Sequence, residues 1–139
     1  MKQETALKLL KAGENVFLTG SAGAGKTYTL NQYINYLKAR KVPVAITAST
    51  GIAATHMNGM TIHTWAGIGI KDFLSDADLK NMKERKYLKE HLENAQVLII
   101  DEISMLHAKQ LNLVNQVLKY FKDSEDAFGG IQVIVAGDF

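Results

Sequence analysis

The stretch Gly20–Thr27 decides the fold, because its sequence G-S-A-G-A-G-K-T matches the phosphate-binding pattern G-x-x-x-x-G-K-[ST] at every fixed position. The apolar run Val16–Leu18 lies just before it and predicts a buried strand. After it, four apolar residues recur at the i, i+3, i+4, i+7 spacing of one helix face: Leu30, Tyr33, Ile34 and Leu37. A strand, a glycine-rich loop and a helix N-terminus in this order predict an anion site, because backbone N–H groups and the helix dipole converge there.

The residue types in this loop suit a nucleoside triphosphate. Glycine lets the chain wrap closely around phosphate groups, where a Cβ would occupy the space. Lys26 is expected to contact the β- and γ-phosphates, and the hydroxyl of Thr27 is expected to bind Mg²⁺. The alternative is a chance Gly- and Ser-rich turn before a helix. We predict a nucleoside triphosphate and Mg²⁺ site with these nucleotide-binding residues: Gly20, Ser21, Ala22, Gly23, Ala24, Gly25, Lys26, Thr27 and Tyr28.

Composition limits the class of protein. The 139 residues are 47% hydrophobic and 22% charged, which is ordinary for a globular chain, so residues 1–139 are predicted to form one domain. The sequence has no Cys, which excludes disulfides and thiolate metal sites. The segment Val42–Ile70 carries no charged residue, yet Thr, Ser, Asn and His interrupt it too often for a membrane span. We expect no membrane partner and a cytoplasmic protein of a bacterium, or a nuclear or mitochondrial one if the source is eukaryotic.

Further apolar patterns predict that strands and helices alternate. We expect strands at Val44–Ile46, Val97–Ile100 and Ile131–Ala136, helices at Met1–Ala12, Ile52–Met57 and around Leu111–Phe121, a loop at Thr47–Gly51, and a solvated, mostly helical insertion at Asp72–Asn94. Buried strands that alternate with amphipathic helices predict an α/β fold, with a parallel sheet covered by helices on both faces. In such a fold the loops after the strands meet at one edge, where α/β proteins bind ligands.

An acidic pair, Asp101-Glu102, directly follows the apolar run Val97–Ile100. In P-loop enzymes the first acid after such a strand holds Mg²⁺, so we predict Asp101 as a metal ligand beside Thr27. The second acid can deprotonate an attacking water, so we predict Glu102 and Lys26 as the catalytic residues. The alternative is an exposed acidic turn. Because a kinase does not need a water-activating acid here, the pair favours hydrolysis over phosphate transfer.

Three further segments carry a resemblance to a known family. They read T-A-S-T-G-I-A-A (Thr47–Ala54), G-M-T-I-H-T-W-A-G-I-G (Gly59–Gly69) and F-G-G-I-Q-V-I-V-A-G-D-F (Phe128–Phe139), and the acidic pair opens D-E-I-S-M. Together with the P-loop they resemble the PIF family of superfamily 1 DNA helicases, over nearly the whole chain. The resemblance implies a RecA-like ATPase domain and an adenine-reading glutamine at Gln3.

The resemblance also implies partners. Such helicases have two RecA-like domains, and residues 1–139 resemble only the first, so a second domain of the same parent chain is expected to supply an arginine finger. The family implies ATP-driven 5′-to-3′ translocation on single-stranded DNA, and unwinding of duplex, junction and G-quadruplex DNA. It further implies roles in DNA repair, recombination and telomere maintenance.

The uncharged segment agrees with strand binding, because hydroxyls and backbone N–H groups can contact phosphate without reading sequence. The predicted DNA-binding residues are Ser49, Thr50, Gly51, Thr61, His63 and Thr64. For each of them the alternative is a capping hydroxyl or a turn glycine. Trp65 could stack on a base, although an aromatic residue after a strand is more often part of the core.

Two other functions compete with the motor. A nucleotide or metabolite kinase would need arginines in a lid, and the sequence has only Arg40 and Arg85. A nucleotide-dependent switch would leave Thr47–Ala54 and Gly59–Gly69 unexplained. Stimulation of ATP turnover by single-stranded DNA distinguishes the three functions.

Overall fold

The computed structural model describes residues 3–19, 24–56 and 58–137. Its strands are β1 (Val16–Thr19), β2 (Val44–Ala48), β3 (Met60–Thr61), β4 (Val97–Asp101) and β5 (Gln132–Gly137). They form one parallel sheet in the order β1-β5-β4-β2-β3. This confirms the parallel sheet predicted from the apolar runs.

The helices connect these strands and cover the sheet. They are α1 (Gln3–Lys11), α2 (Ala24–Ala39), α3 (Gly51–His56), α4 (Ile62–Ala66), α5 (Asp76–Lys83), α6 (Lys86–Asn94) and α7 (Ala108–Lys122), with short 3₁₀ turns at Ile103–Met105 and Ala127–Gly130. Among the residues described, no helix is both long enough and apolar enough to cross a membrane.

Strand β4 shows how the sheet separates two hydrophobic layers. All of Val97–Ile100 is buried, and the side chains alternate between the two faces. Val97 and Ile99 pack with α1 and α2, whereas Leu98 and Ile100 pack with α4 to α7. Burying each such aliphatic side chain contributes about 1.5–3 kcal/mol relative to leaving it exposed. The prediction of helices on both faces is confirmed.

Helix α2 buries the face that the sequence predicted, with Leu30, Tyr33, Ile34 and Leu37 all at most 6% exposed. The Tyr33 hydroxyl donates to Oε1 of Gln132 on β5 at 2.6 Å. Burial raises the pKa of Tyr33, which keeps this hydroxyl protonated as the donor. Nε2 of Gln132 in turn donates to the Leu10 carbonyl at the end of α1. These bonds fix α1 against α2 and β5.

The prediction of a solvated insertion at Asp72–Asn94 is partly wrong. The segment is mostly helical, as expected, but α5 and α6 bury an apolar stripe in the core beside α7: Leu79, Met82, Leu88 and Leu92. The many charged residues lie on the opposite face of each helix and conceal this stripe from a simple count of charges. The segment is therefore part of the second layer of the fold.

The prediction of a loop over Thr47–Gly51 is also wrong at both ends. Thr47 and Ala48 continue β2, because they pair with Ile100 and Asp101 of β4. The fully buried Thr47 hydroxyl donates to the Ile99 carbonyl at 2.7 Å, which satisfies it inside the sheet. Helix α3 then begins at Gly51, so only residues 49 and 50 connect the two elements.

Candidate nucleotide and nucleic-acid site

The N-terminus of α2 follows β1 at the carboxyl edge of the sheet, where the phosphate site is predicted. Gly20, Ser21, Ala22 and Gly23 lie outside the described residues, and their predicted contacts stay predictions. Ala24 opens the helix, and Gly25, Lys26 and Thr27 complete its first turn. Thr27 is exposed and Lys26 is half-buried. Because the first N–H groups of a helix have no partner within the helix, this end is suited to phosphate.

Gln3 lies beside the start of α2. A Cβ added to Gly25 would be 3.3 Å from Nε2 of Gln3, so the amide and the predicted phosphate loop are neighbours. The position fits the predicted adenine contact, which stays a prediction. Tyr28 is 52% exposed, and its hydroxyl accepts from Nε2 of Gln32 at 2.6 Å.

The acidic pair lies at the same edge, where Asp101 ends β4 and Glu102 follows it. The Glu102 N–H donates to Oδ1 of Asp101 at 2.9 Å, which orients the carboxylate. Glu102 itself has a left-handed backbone with φ of 57°. A residue other than glycine rarely adopts this conformation, and such strain collects where a functional side chain must be held in one direction. The Glu102 carbonyl then accepts the Met105 N–H at 3.1 Å and begins the 3₁₀ turn.

The predicted Mg²⁺ ligands are Thr27 and Asp101. Within the described ranges, no group of three or more His, Asp or Glu side chains could hold a metal ion. A nucleotide-bound Mg²⁺ does not need such a group, because one or two carboxylates, waters and phosphate oxygens complete its six ligands. A half-buried carboxylate at the end of β4 and a hydroxyl in the first turn of α2 fit that donor set. If Mg²⁺ binds here, it neutralises phosphate charge.

Two of the predicted DNA-binding residues also cap helices. Thr50 Oγ1 accepts the Ala53 N–H at 3.2 Å and caps α3. Thr61 Oγ1 accepts the Thr64 N–H at 3.2 Å, which caps α4, and the two hydroxyls lie 2.9 Å apart. Gly51 is exposed in the first turn of α3. The capping alternative is thus confirmed for Thr50 and Thr61, while a contact with DNA stays a prediction.

Ser49 is hydrogen-bonded to the acidic pair, a contact that the sequence did not predict. Its N–H donates to the Asp101 carbonyl at 3.1 Å, and its hydroxyl donates to the Glu102 carbonyl at 2.6 Å. The side chain is only 9% exposed. The short connection after β2 is therefore hydrogen-bonded to the backbone of the acidic pair.

His63 and Thr64 line a groove of about 540 Å³ at this edge. The groove is lined by His63, Thr64, Gly69, Ile70, Met105, Leu106, His107 and Gln110. Ile70 is fully exposed and Met105 is 66% exposed. The wall formed by Met105 could not be predicted from the sequence, because a single apolar residue after a strand carries no periodic signal. Trp65, by contrast, is 4% exposed and belongs to the core.

Taken together, a parallel sheet, the P-loop sequence before α2 and an acidic pair at the carboxyl edge define an α/β domain of the P-loop class. A family model described as PIF1-like helicase matches residues 2–139. The chain therefore belongs to the PIF1-like helicase family.

Individual relatives agree with this assignment. The chain is 72% identical over 139 residues to the ATP-dependent DNA helicase Pif1 of Psychrobacter sp. (strain PRwf-1), covering all of this chain and 21% of that protein. The crystal structure of Pif1 helicase from Candida albicans matches with a TM-score of 0.92 and 40% identity, over 99% of this chain and 32% of that one. A Bacteroides Pif1 helicase in complex with ADP-AlF3 and ssDNA matches with a TM-score of 0.81 and 34% identity, over 98% and 31% of the two chains. The chain thus spans about a fifth to a third of the length of these relatives.

Proposed function

We propose that the chain is the first ATPase domain of a longer DNA helicase and couples ATP hydrolysis to movement along single-stranded DNA. The observation that supports this proposal most directly is that the groove includes Met105, in the 3₁₀ turn that follows the acidic pair. One wall holds the predicted DNA contacts His63 and Thr64, and the other begins at Met105, three residues after Glu102. A strand in this groove would lie against the turn that starts at the predicted general base. The structure of the Bacteroides relative contains ADP-AlF3 and ssDNA. This supports the proposal that the present chain binds a nucleotide and a DNA strand.

The chemistry of hydrolysis follows from the residues at the edge. Gln3 contacts the adenine, and Lys26 neutralises the charge that develops between the β- and γ-phosphates. Glu102 accepts the proton of the attacking water, while Asp101 and Thr27 would hold Mg²⁺, which would neutralise phosphate charge. Each of these residues belongs to a loop or helix end that the sheet order brings to one edge.

A second domain of the parent chain is part of the proposal. Neither of the two arginines of the sequence belongs to the predicted phosphate loop or to the acidic pair. Arg40 lies over the Tyr36 ring, 3.6 Å from its centroid and one residue beyond the far end of α2, and Arg85 precedes α6. An arginine finger raises turnover by about three to five orders of magnitude, so we propose that a second RecA-like domain supplies it. We also propose 5′-to-3′ polarity, action on junctions and G-quadruplexes, a role in repair, recombination and telomere maintenance, and a bacterial cytoplasmic location, all on the family resemblance.

The decisive test is the ATPase activity of the complete protein with and without single-stranded DNA. We expect DNA to raise turnover, and we expect residues 1–139 alone to hydrolyse almost no ATP. His63→Ala should raise the DNA concentration that gives half-maximal stimulation while leaving the affinity for Mg²⁺–ATP nearly unchanged. Since the described residues that line the groove include neither Lys nor Arg, the contribution of this domain to the salt dependence of binding should be shallow. A complete protein whose turnover ignores DNA would refute the proposal.

A further inference from the structure

The hydroxyl of Ser49 is already engaged within the protein. A serine hydroxyl has one proton to donate, and here it is donated to the Glu102 carbonyl at 2.6 Å. A phosphate oxygen only accepts hydrogen bonds from a protein, so Ser49 cannot donate to a DNA phosphate while this bond exists. Its 9% exposure leaves little of the side chain within reach of a strand. The arrangement argues against a direct phosphate contact by Ser49.

The partner of Ser49, Glu102, takes part in three hydrogen bonds through its backbone. The Glu102 carbonyl accepts both the Ser49 hydroxyl and the Met105 N–H, and the Glu102 N–H donates to Asp101 Oδ1. The left-handed backbone of Glu102 is costly without such bonds. Because the backbone orientation of Glu102 sets the direction of its carboxylate, a shift of Ser49 would also shift the predicted general base.

The residues that follow Ser49 include two of the predicted DNA contacts, Thr50 and Gly51. Thr50 caps α3, and Gly51 and Ile52 in its first turn are exposed. Only one residue, Thr50, separates Ser49 from that helix. A displacement of Thr50 or Gly51 on strand binding would therefore be passed to Glu102 through one side-chain hydrogen bond, from the Ser49 hydroxyl to the Glu102 carbonyl.

We infer that Ser49 is a positioning residue, which transmits strand binding at Thr50 and Gly51 to the Glu102 backbone and does not itself bind the strand. This inference rests on the proposed function, because it requires DNA to stimulate hydrolysis. It corrects the assignment of Ser49 as a DNA contact and leaves the assignments of Thr50 and Gly51 in place.

The test titrates oligothymidine into the complete protein at saturating Mg²⁺–ATP and fits maximal turnover separately from the half-maximal DNA concentration. Ser49→Ala should lower the maximal DNA-stimulated turnover by about fivefold to tenfold, the scale of one hydrogen bond, with the half-maximal DNA concentration within about twofold of the unmodified protein. Ser49→Thr keeps the donor and should restore turnover. The matched control is Thr55→Ala, which removes an exposed hydroxyl that donates to the Gly51 carbonyl at 2.9 Å and should behave like the unmodified protein.

Each other outcome overturns the inference in a distinguishable way. A raised half-maximal DNA concentration with unchanged maximal turnover would make Ser49 a strand contact. An equal loss with and without DNA would make it only a structural support of Glu102, and an unchanged Ser49→Ala protein would remove its role. If Ser49→Ala does not fold, Ser49→Cys keeps the size with a weak donor and is expected to give the same loss. Failure of the unmodified protein to respond to DNA would instead overturn the proposed function, and this inference with it.

Discussion

We predict that Glu102 is needed for hydrolysis but that its strained backbone lowers the free energy of unfolding. Two substitutions at this position separate the two effects. Glu102→Gln keeps the side-chain size and the left-handed backbone but removes the carboxylate. Glu102→Gly removes the carboxylate and also relieves the strain. A left-handed conformation costs a residue other than glycine about 1–2 kcal/mol, and glycine loses roughly 0.5–1 kcal/mol more backbone entropy on folding. Taken between the middles of these two ranges, the difference predicts that Glu102→Gly raises the free energy of unfolding by about 0.5–1 kcal/mol, whereas Glu102→Gln leaves it nearly unchanged.

In the complete protein, both substitutions should lower DNA-stimulated hydrolysis by about two to four orders of magnitude, the scale of losing a general base, while Mg²⁺–ATP still binds. Thermal unfolding of the 139-residue chain by circular dichroism measures the stability, and for a chain of this size the expected rise for Glu102→Gly is about 2–4 °C. Lys41→Gly is the matched control, because Lys41 has φ of 58° in the turn after α2 and lies far from the edge. It should raise stability without affecting hydrolysis.

Two results would refute this reasoning about Glu102. A Glu102→Gly chain that is no more stable than the Glu102→Gln chain would mean that the backbone at this position stores no strain. Loss of Mg²⁺–ATP affinity in parallel with turnover would mean that the carboxylate binds the nucleotide complex and does not act as a base.

Three further predictions concern Lys26, Gln3 and Gly59. Lys26→Ala in the complete protein should abolish ATP hydrolysis, because the ammonium no longer offsets charge on the separating phosphates, and wild-type phosphate release would contradict the P-loop assignment. Gln3→Ala should weaken ATP binding more than GTP binding in a fluorescence titration, since an amide can both donate to and accept from the adenine edge; equal losses would remove Gln3 from the site. Gly59→Ala should lower the free energy of unfolding by about 1–3 kcal/mol, because the new Cβ would overlap the Ile46 carbonyl oxygen. In the control, Gly51→Ala, the Cβ meets no atom within 4 Å, and a comparable loss there would show that the Gly59 effect is not steric.

Much of the fold could be predicted because its signals are local. The apolar run Val97–Ile100 and the face of α2 beginning at Leu30 follow strand and helix periods, and both are buried as expected. The phosphate-binding pattern and the acidic pair follow such elements directly, so a parallel fold alone brings them to one edge. The wrong predictions fall where the local pattern is ambiguous. Thr47 is a polar residue typical of loops but lies in β2, and the charged residues of Asp72–Asn94 outnumber the apolar residues that the segment buries.

By itself, then, the sequence determined the α/β class, the candidate nucleotide site and the acidic pair, because period and motif are properties of neighbouring residues. Only the tertiary structure decided which hydrogen bond each serine and threonine hydroxyl makes. A serine or threonine can cap a helix, bond inside a sheet or donate to a ligand with the same chemistry. Thr50 caps α3, Thr47 bonds to the Ile99 carbonyl, and Ser49 bonds to Glu102, 53 residues along the chain. That last pairing exists because β2 and β4 are adjacent and in register, so that Ala48 lies opposite Asp101, and only the packed sheet sets this alignment.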